Sequence, residues 1–302
     1  MAQAANNLSR PNPSAGWPYL FARPRLLAIG CLVLLAGLGW VYLGLMVAGA
    51  QSPGANSPIL DTLSEWMGLD GAGRTAFEVL CGPTFGATDA GAAAAAAFAL
   101  MWSAMLLAMM LPTAGPMIFT YAEMAENAVR EGERAASPLW LIAGYGLVWL
   151  GFVVIAAALQ LALARAALLD PSMGAASGLF SGAVFVAAGA YQFSALKHAC
   201  VTRCQQPLPF FSINWSDKPR DIFRLGVRQG LYCIGCCWAM MLVMFAVGTM
   251  NVIWMAVLGF IMAAEKIATT TRFSKAIGLI FTMIGIAFIA AAVAAHWPVR
   301  AG

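Results

Sequence analysis

Beyond the first two dozen residues the chain alternates between long apolar runs and short polar segments. The runs cover 26–50, 92–119, 139–164, 175–197, 229–249, 252–268 and 276–295. Most reach the roughly 20 residues that a helix needs to cross the hydrocarbon core of a bilayer, and the run 252–268 sits at the short limit. The pattern predicts an all-α fold: a polytopic transmembrane helix bundle of about seven spanning helices, forming a single integral membrane domain over 1–302. Ala48-Gly49-Ala50 resembles a signal cleavage site, but the apolar run before it holds about 24 residues, well beyond the roughly 7–15 of a signal segment. The first span therefore reads as an uncleaved anchor. Between the runs, 1–25 reads as a disordered cytoplasmic tail and 198–228 as a cytoplasmic loop containing cysteines. The segment 51–90 reads as an outer loop with an interfacial helix, because Ile59, Leu60, Leu63, Trp66 and Met67 recur at helical spacing.

Composition agrees: 61% of the 302 residues are apolar and 10% charged, against about 25% charged in a soluble domain. The basic residues set the orientation. Arg10, Arg23, Arg25, Arg130, Arg134, Lys197, Arg203, Lys218, Arg220, Arg224, Arg228, Lys266, Arg272 and Lys275 share one side, while Arg74, Arg165 and Arg300 lie on the other. This skew predicts an N-terminus inside and a C-terminus outside, in a bacterial cytoplasmic (inner) membrane. The net charge of +4 follows from that topology and makes no case for nucleic acid. No Walker loop or dinucleotide fingerprint points to a nucleotide. The expected surroundings are the lipid bilayer and, with a small-residue ridge at Gly174, Gly178 and Gly182 and another at Gly226 and Gly230, close helix neighbours or a second copy of the chain.

Sulfur changes the picture. Cys31 lies in the first span and Cys81 in the outer segment, whereas Cys200, Cys204, Cys233, Cys236 and Cys237 gather at the inner ends of the fourth and fifth spans. The cytoplasm is reducing, so these five are expected as thiols, which points to metal or redox chemistry. With 17 Met and 7 Cys in 302 residues, an 18-residue window should hold one or two; 233–250 holds Cys233, Cys236, Cys237, Met240, Met241, Met244 and Met250. At about 100° per residue, Cys233, Cys236, Cys237, Met240 and Met244 fall within an arc of about 100°, and Asn251 returns to the same face. In the second span Met101, Met105 and Met109 form a shorter stripe, with Met110 and Met117 opposite. Pro112 and Pro116 interrupt that helix, which in a membrane is tolerated only against protein or a wet cavity. Methionine also fills gaps in apolar cores, so these stripes serve either packing or ligation.

Cys200 and Cys204 are four residues apart and share a face if the helix continues beyond the fourth span; Pro207 ends it. His198 is a further candidate ligand, although a histidine at the interface explains it equally simply. Lys197 reads as snorkelling to the inner surface, and Glu265 with Lys266 as an ordinary ion pair. Soft thiolate and thioether sulfur selects Cu(I), while four thiolates in a tetrahedron suit zinc. Zinc is the less favoured metal because it leaves the methionine stripe without a role.

The chain resembles a bacterial family of predicted metal-binding integral membrane proteins, a domain of unknown function. The resemblance covers nearly the whole membrane region. It rests on Met101-Trp102-x2-Met105-x3-Met109-Met110-Leu111-Pro112, on Tyr191-Gln192 with Lys197, Cys200 and Cys204, and on Gly226-x3-Gly230-Leu231-Tyr232-Cys233-x-Gly235-Cys236-Cys237-Trp238-x-Met240-Met241. It continues through Met250-Asn251 and Glu265-Lys266. Gln205 stands where the family pattern has an arginine, which removes a charge and leaves the thiols intact. The resemblance implies metal binding and fixes neither metal nor activity.

Three functions compete on this basis. The first is a Cu(I) site, built from the five inner cysteines, Met240, Met244, Met101, Met105, Met109 and His198, that moves copper or exchanges it with a copper chaperone or a membrane cuproprotein. The second is a membrane thiol–disulfide or electron-transfer protein using the same cysteines. The third is a structural membrane subunit, which leaves the sulfur unexplained.

Overall fold

Helix-capping residues, more than hydropathy, decide where the apolar runs start and stop. The computed structural model describes residues 24–50, 65, 92–169, 175–249, 251–268 and 270–296. The expected tail up to residue 23, the outer segment 51–90 apart from Glu65, and Gly174 and Met250 lie outside the described residues. The helices are α1 (Pro24–Ala50), α2 (Ala92–Met105), α3 (Gly115–Arg130), α4 (Pro138–Arg165), α5 (Gly178–Tyr191), α6 (Ala195–Gln205), α7 (Pro207–Ile213), α8 (Pro219–Val247), α9 (Val252–Ile267) and α10 (Thr271–His296). Ser137, Ser177, Ser194 and Asn251 cap α4, α5, α6 and α9 by accepting from the backbone N–H of Leu139, Phe180, Lys197 and Trp254. Pro138 and Pro207 open their helices, where a missing N–H costs nothing.

The result is a polytopic helix bundle. Among the described residues five helices are long and apolar enough to cross a membrane, and six if α5 and α6 are taken as one bent crossing. The seven runs of the sequence map onto this with two differences. The fourth run does not continue as one helix to residue 197, because Ser194 starts a new helix and the chain bends by 64° between α5 and α6. The sixth run, α9, has 16 residues, about 24 Å at 1.5 Å per residue, and falls short of a full crossing. The cysteine-bearing segment after α5 is itself helical, as α6 and α7, and α8 begins at Pro219, some ten residues before its apolar run.

The second run is broken inside the bundle. α2 passes into a π-helical turn at Leu106–Met110, then one α turn at Leu111–Thr113, before α3 begins at Gly115. Pro112 has no N–H for the Ala108 carbonyl; Trp40 of α1 donates its indole Nε1–H there instead, at 3.1 Å. α1 comes this close because Gly39 has no side chain: a Cβ there would lie 2.8 Å from Ala104 O and Ala108 N.

Glycines seat the other long contacts. Gly144 of α4 lies against the Phe223 carbonyl and Val227 N of α8, and Gly226 of α8 lies against the Leu141 carbonyl of α4. Gly230 meets Val148, so α4 and α8 run in the same direction. Gly182 and Gly189 of α5 face Gly285 and Gly278 of α10, and that pair is antiparallel. In lipid, where apolar surface gains nothing by leaving one apolar medium for another, such close backbone approach is a main source of helix association.

Replacing Gly144 with alanine is expected to cost about 1–3 kcal/mol, because the neighbouring atoms are backbone and cannot move aside. Gly151→Ala, with nothing within 4 Å of its Cβ, should leave the midpoint unchanged or slightly raised. Thermal unfolding of both variants in detergent measures the difference.

Candidate metal centre

α8 places Cys233, Cys236 and Cys237 on one side of a helix, all buried, with their sulfurs within 4.8 Å of one another. Two sulfurs that share an ion at about 2.3 Å each can stand up to about 4.6 Å apart, so the three thiols lie close to the spacing that a shared ion requires. Cys236 and Cys237 approach to 3.2 Å, and Cys236 Sγ lies 3.1 Å from the Cys233 carbonyl. All three are free thiols.

α6 supplies the next sulfurs. The bend after α5 turns α6 against α8, and Cys204 lines the same pocket as Cys233. Cys200 is also buried but points at the α8 backbone; a Cβ on Gly235 would lie 2.5 Å from its sulfur. Glycine at 235 therefore admits Cys200 beside the cluster. His198 is not brought into the group of three thiols, and its buried Nε2 has no hydrogen-bond partner among the described residues.

Two polar side chains converge on one sulfur. Lys266 Nζ lies 3.1 Å from Cys233 Sγ and 2.6 Å from Thr113 Oγ1. The Tyr145 hydroxyl lies 3.1 Å from Cys233 Sγ and 3.3 Å from the Met110 carbonyl. The same carbonyl accepts from Thr113 Oγ1 at 2.9 Å. The broken second run thus turns its loosened backbone toward the thiols. A pocket at this break is lined by Thr113, Pro116, Met117, Tyr145, Cys204 and Cys233, with Gln229 and Lys266 completing it.

The reading of Glu265 and Lys266 as a pair is corrected. Adjacent residues on a helix do not face each other, and the two diverge: Glu265 Oε2 accepts from Lys197 Nζ at 2.7 Å, while Lys266 turns to Cys233. Lys197 accordingly does not snorkel to the surface; its side chain is fully buried in the pair. Gln205 strengthens the same joint, donating from Nε2 to the Glu265 carbonyl at 2.8 Å and to that of Ala268. α6 is therefore held against α9 from both ends.

The methionines lie in the same continuous core. Met240 and Met244 continue the cysteine face of α8 and are fully buried. The stripe does not extend to Asn251: α8 ends at Val247, Gly248 adopts φ 93°, and Asn251 spends its side chain capping α9. Met101 and Met105 are buried on α2, which touches α8 through Trp102 and Phe245 at a ring separation of 5.4 Å. The π-helical turn removes the regular 100° step between Met105 and Met109, and Met109 lies against Gly259 of α9, 3.5 Å from where a Cβ would sit. Met117, placed on the opposite side by helical counting, is instead in the thiol pocket.

Sequence reasoning did not reach Tyr145, Thr113, Met117 or Gln229. Only the two prolines hinted at them, by marking a break that needed a polar or wet neighbour. Near the other end of the bundle, Trp102 donates to Gln160 Oε1 at 2.6 Å and Gln160 Nε2 donates to Thr249 at 3.4 Å, so that buried glutamine is accounted for structurally.

A buried all-sulfur donor set with one ammonium against it, inside a polytopic helix bundle, has the chemistry that suits a soft metal ion. A family model described as PpoB2, copper chaperone, matches residues 99–288, which span every helix from α2 into α10 and include the whole cluster. The chain belongs to this copper-chaperone family. No curated protein and no solved structure matches it.

The α6–α9 joint gives a test independent of metal. Lys197→Met strands Glu265 as a buried charge and should cost about 3–5 kcal/mol in thermal or denaturant unfolding; Lys197→Met/Glu265→Met should recover most of that loss.

Proposed function

We propose that this chain holds Cu(I) as cargo in the bacterial cytoplasmic membrane and passes it between a copper chaperone and a membrane cuproprotein. The observation that carries the reading is the buried cluster of Cys233, Cys236 and Cys237, with Cys204 lining the same pocket as Cys233. Thiolate sulfur is the softest donor a protein offers, and a site without carboxylate or imidazole in its innermost group suits Cu(I) better than a hard cation. The copper-chaperone family supports the choice of metal.

Roles differ along the bundle. Cys204, Cys233, Cys236 and Cys237 capture the ion, and Cys200 stands behind them on α6. By the distribution of lysine and arginine this end faces the cytoplasm. Met240 and Met244, together with Met101 and Met105 buried on α2, offer neutral thioethers that bind Cu(I) more weakly than thiolates and need no proton loss. They form a route of lower affinity leading away from the cysteines. Met109 rests against Gly259 of α9, and His198 lies outside the group of three thiols. Zinc, which favours a closed tetrahedron, has no use for the methionines.

The 3.2 Å approach of Cys236 and Cys237 favours a second reading, a thiol pair that cycles with a disulfide. Metal content of protein purified in detergent separates the two. Wild type loaded with Cu(I) should retain it, and the Cys233/Cys236/Cys237→Ser triple variant should lose at least nine-tenths of it while remaining folded, since serine is a hard donor that stays protonated at neutral pH. Unchanged stoichiometry in the triple variant overturns the copper reading. Thiol labelling that depends on redox state without any metal supports the alternative.

The methionine route has its own test. Leucine preserves nearly the volume and apolarity of methionine, so Met240→Leu/Met244→Leu should cost less than about 1.5 kcal/mol per site. Cellular copper transfer by this double variant should fall several-fold while metal bound at the cysteines stays constant. Wild-type transfer leaves the methionines to packing.

A further inference from the structure

Among the described residues the charge at Lys266 has no carboxylate partner. It is 8% exposed, and its contacts are Thr113 Oγ1 at 2.6 Å and Cys233 Sγ at 3.1 Å. The neighbouring carboxylate, Glu265, is taken by Lys197 at 2.7 Å. Among the described residues no Asp or Glu pairs with Lys266. A buried ammonium is costly unless an opposite charge stands beside it, and the groups around this one that can carry negative charge are the cysteine thiols and the Tyr145 hydroxyl, of which thiols ionise more readily.

We propose that Lys266 is the counter-ion of the loaded site and limits bound Cu(I) to a bis-thiolate that includes Cys233. This deepens the copper reading and rests on it. Thiols bind soft metals as thiolates, their protons passing to solvent. Cu(I) on two thiolates carries one net negative charge, which one ammonium neutralises. Cu(I) on three thiolates carries two, and the second has no partner in this apolar surrounding. Zinc on three would carry one, so the charge fixes the number of thiolates around Cu(I), and the choice of metal rests on the proposed function. At least one sulfur of the Cys233, Cys236 and Cys237 group is therefore left out of the pair that holds the ion. It is the acceptor that ligand exchange needs when the ion moves on, so the same charge that stabilises the cargo keeps the site from closing around it.

Lys266 is a positioning residue in this scheme, and its removal leaves few orphaned groups. Thr113 still donates to the Met110 carbonyl at 2.9 Å, and Cys233 keeps Tyr145 at 3.1 Å. Methionine matches the length of the lysine stem, so Lys266→Met removes charge with modest loss of packing, and Lys266→Arg keeps the charge.

The experiment is Cu(I) competition against a chromophoric chelator on full-length protein in detergent, with copper-edge X-ray absorption on the wild type. Lys266→Met should bind Cu(I) on the order of 100-fold or more weakly, as expected when a buried charge loses its partner, and Lys266→Arg should recover at least a tenfold share. Wild-type copper should show two sulfur neighbours. Full affinity in folded Lys266→Met, or three or four sulfurs around wild-type copper, overturns the inference. If Lys266→Met does not fold, the sulfur count and the affinity of Lys266→Gln decide it. Wild type that binds no Cu(I) removes the proposed function together with this inference; wild type that binds Cu(I) with Lys266→Met unchanged removes the inference alone.

Discussion

An ammonium inside an apolar helix bundle must find its negative charge within a few ångströms, and two lysines impose that constraint here. Lys197 satisfies it with Glu265 at 2.7 Å, fixing α6 against α9. Lys266, one residue along α9, points the other way and reaches Cys233 on α8 and Thr113 at the break of the second run. The two charges thus tie α6, α8, α9 and the broken helix to one another. Because burial of an unpaired charge costs far more than a lost apolar contact, these polar joints specify which helices meet, while packing along Gly144, Gly226, Gly182 and Gly189 determines how closely.

The backbone irregularities all serve that polar core. The π-helical turn at Leu106–Met110, Pro112 and the short turn before Gly115 loosen hydrogen bonds that a straight helix would keep. The freed groups are met by Trp40 Nε1 on one side and by Thr113 and Tyr145 on the other. Non-helical backbone at such depth is tolerated only where protein or a cavity satisfies it, and the pocket at Met117, Gln229 and Cys204 is where it occurs. Likewise the 64° bend between α5 and α6 brings Cys204 into the pocket that Cys233 lines, a position unavailable to a helix that ran straight on.

Sulfur grades in softness and charge along α8, from three cysteines to Met240 and Met244, and the family to which the chain belongs concerns copper. A carrier must hold its cargo firmly enough to exclude water and loosely enough to release it. Thiolates supply the first property and neutral sulfur the second. On the copper reading proposed above, the placement of Lys266 beside Cys233 makes that compromise in electrostatic terms.

The sequence by itself determined what depends on neighbours close along the chain. Hydropathy over about 20 residues announced a helical membrane bundle, and the cysteine face of α8 followed from helical rotation, because 233–247 is an unbroken helix. The same rotation failed where the helix was not regular: Met109 turned to Gly259 after the π turn, Met117 entered the pocket, and Asn251 became a cap beyond Gly248. Only the tertiary structure decided the pairings. Lys197 meets Glu265 68 positions away, Lys266 meets Thr113 153 positions away, and Tyr145 meets Cys233 88 positions away. Hydrogen bonds and charges act over about 3 Å in space with no regard for order in the chain. Residues with such partners carry no local signature, and the nearest neighbour in sequence, as Glu265 and Lys266 show, is often the one a helix turns away.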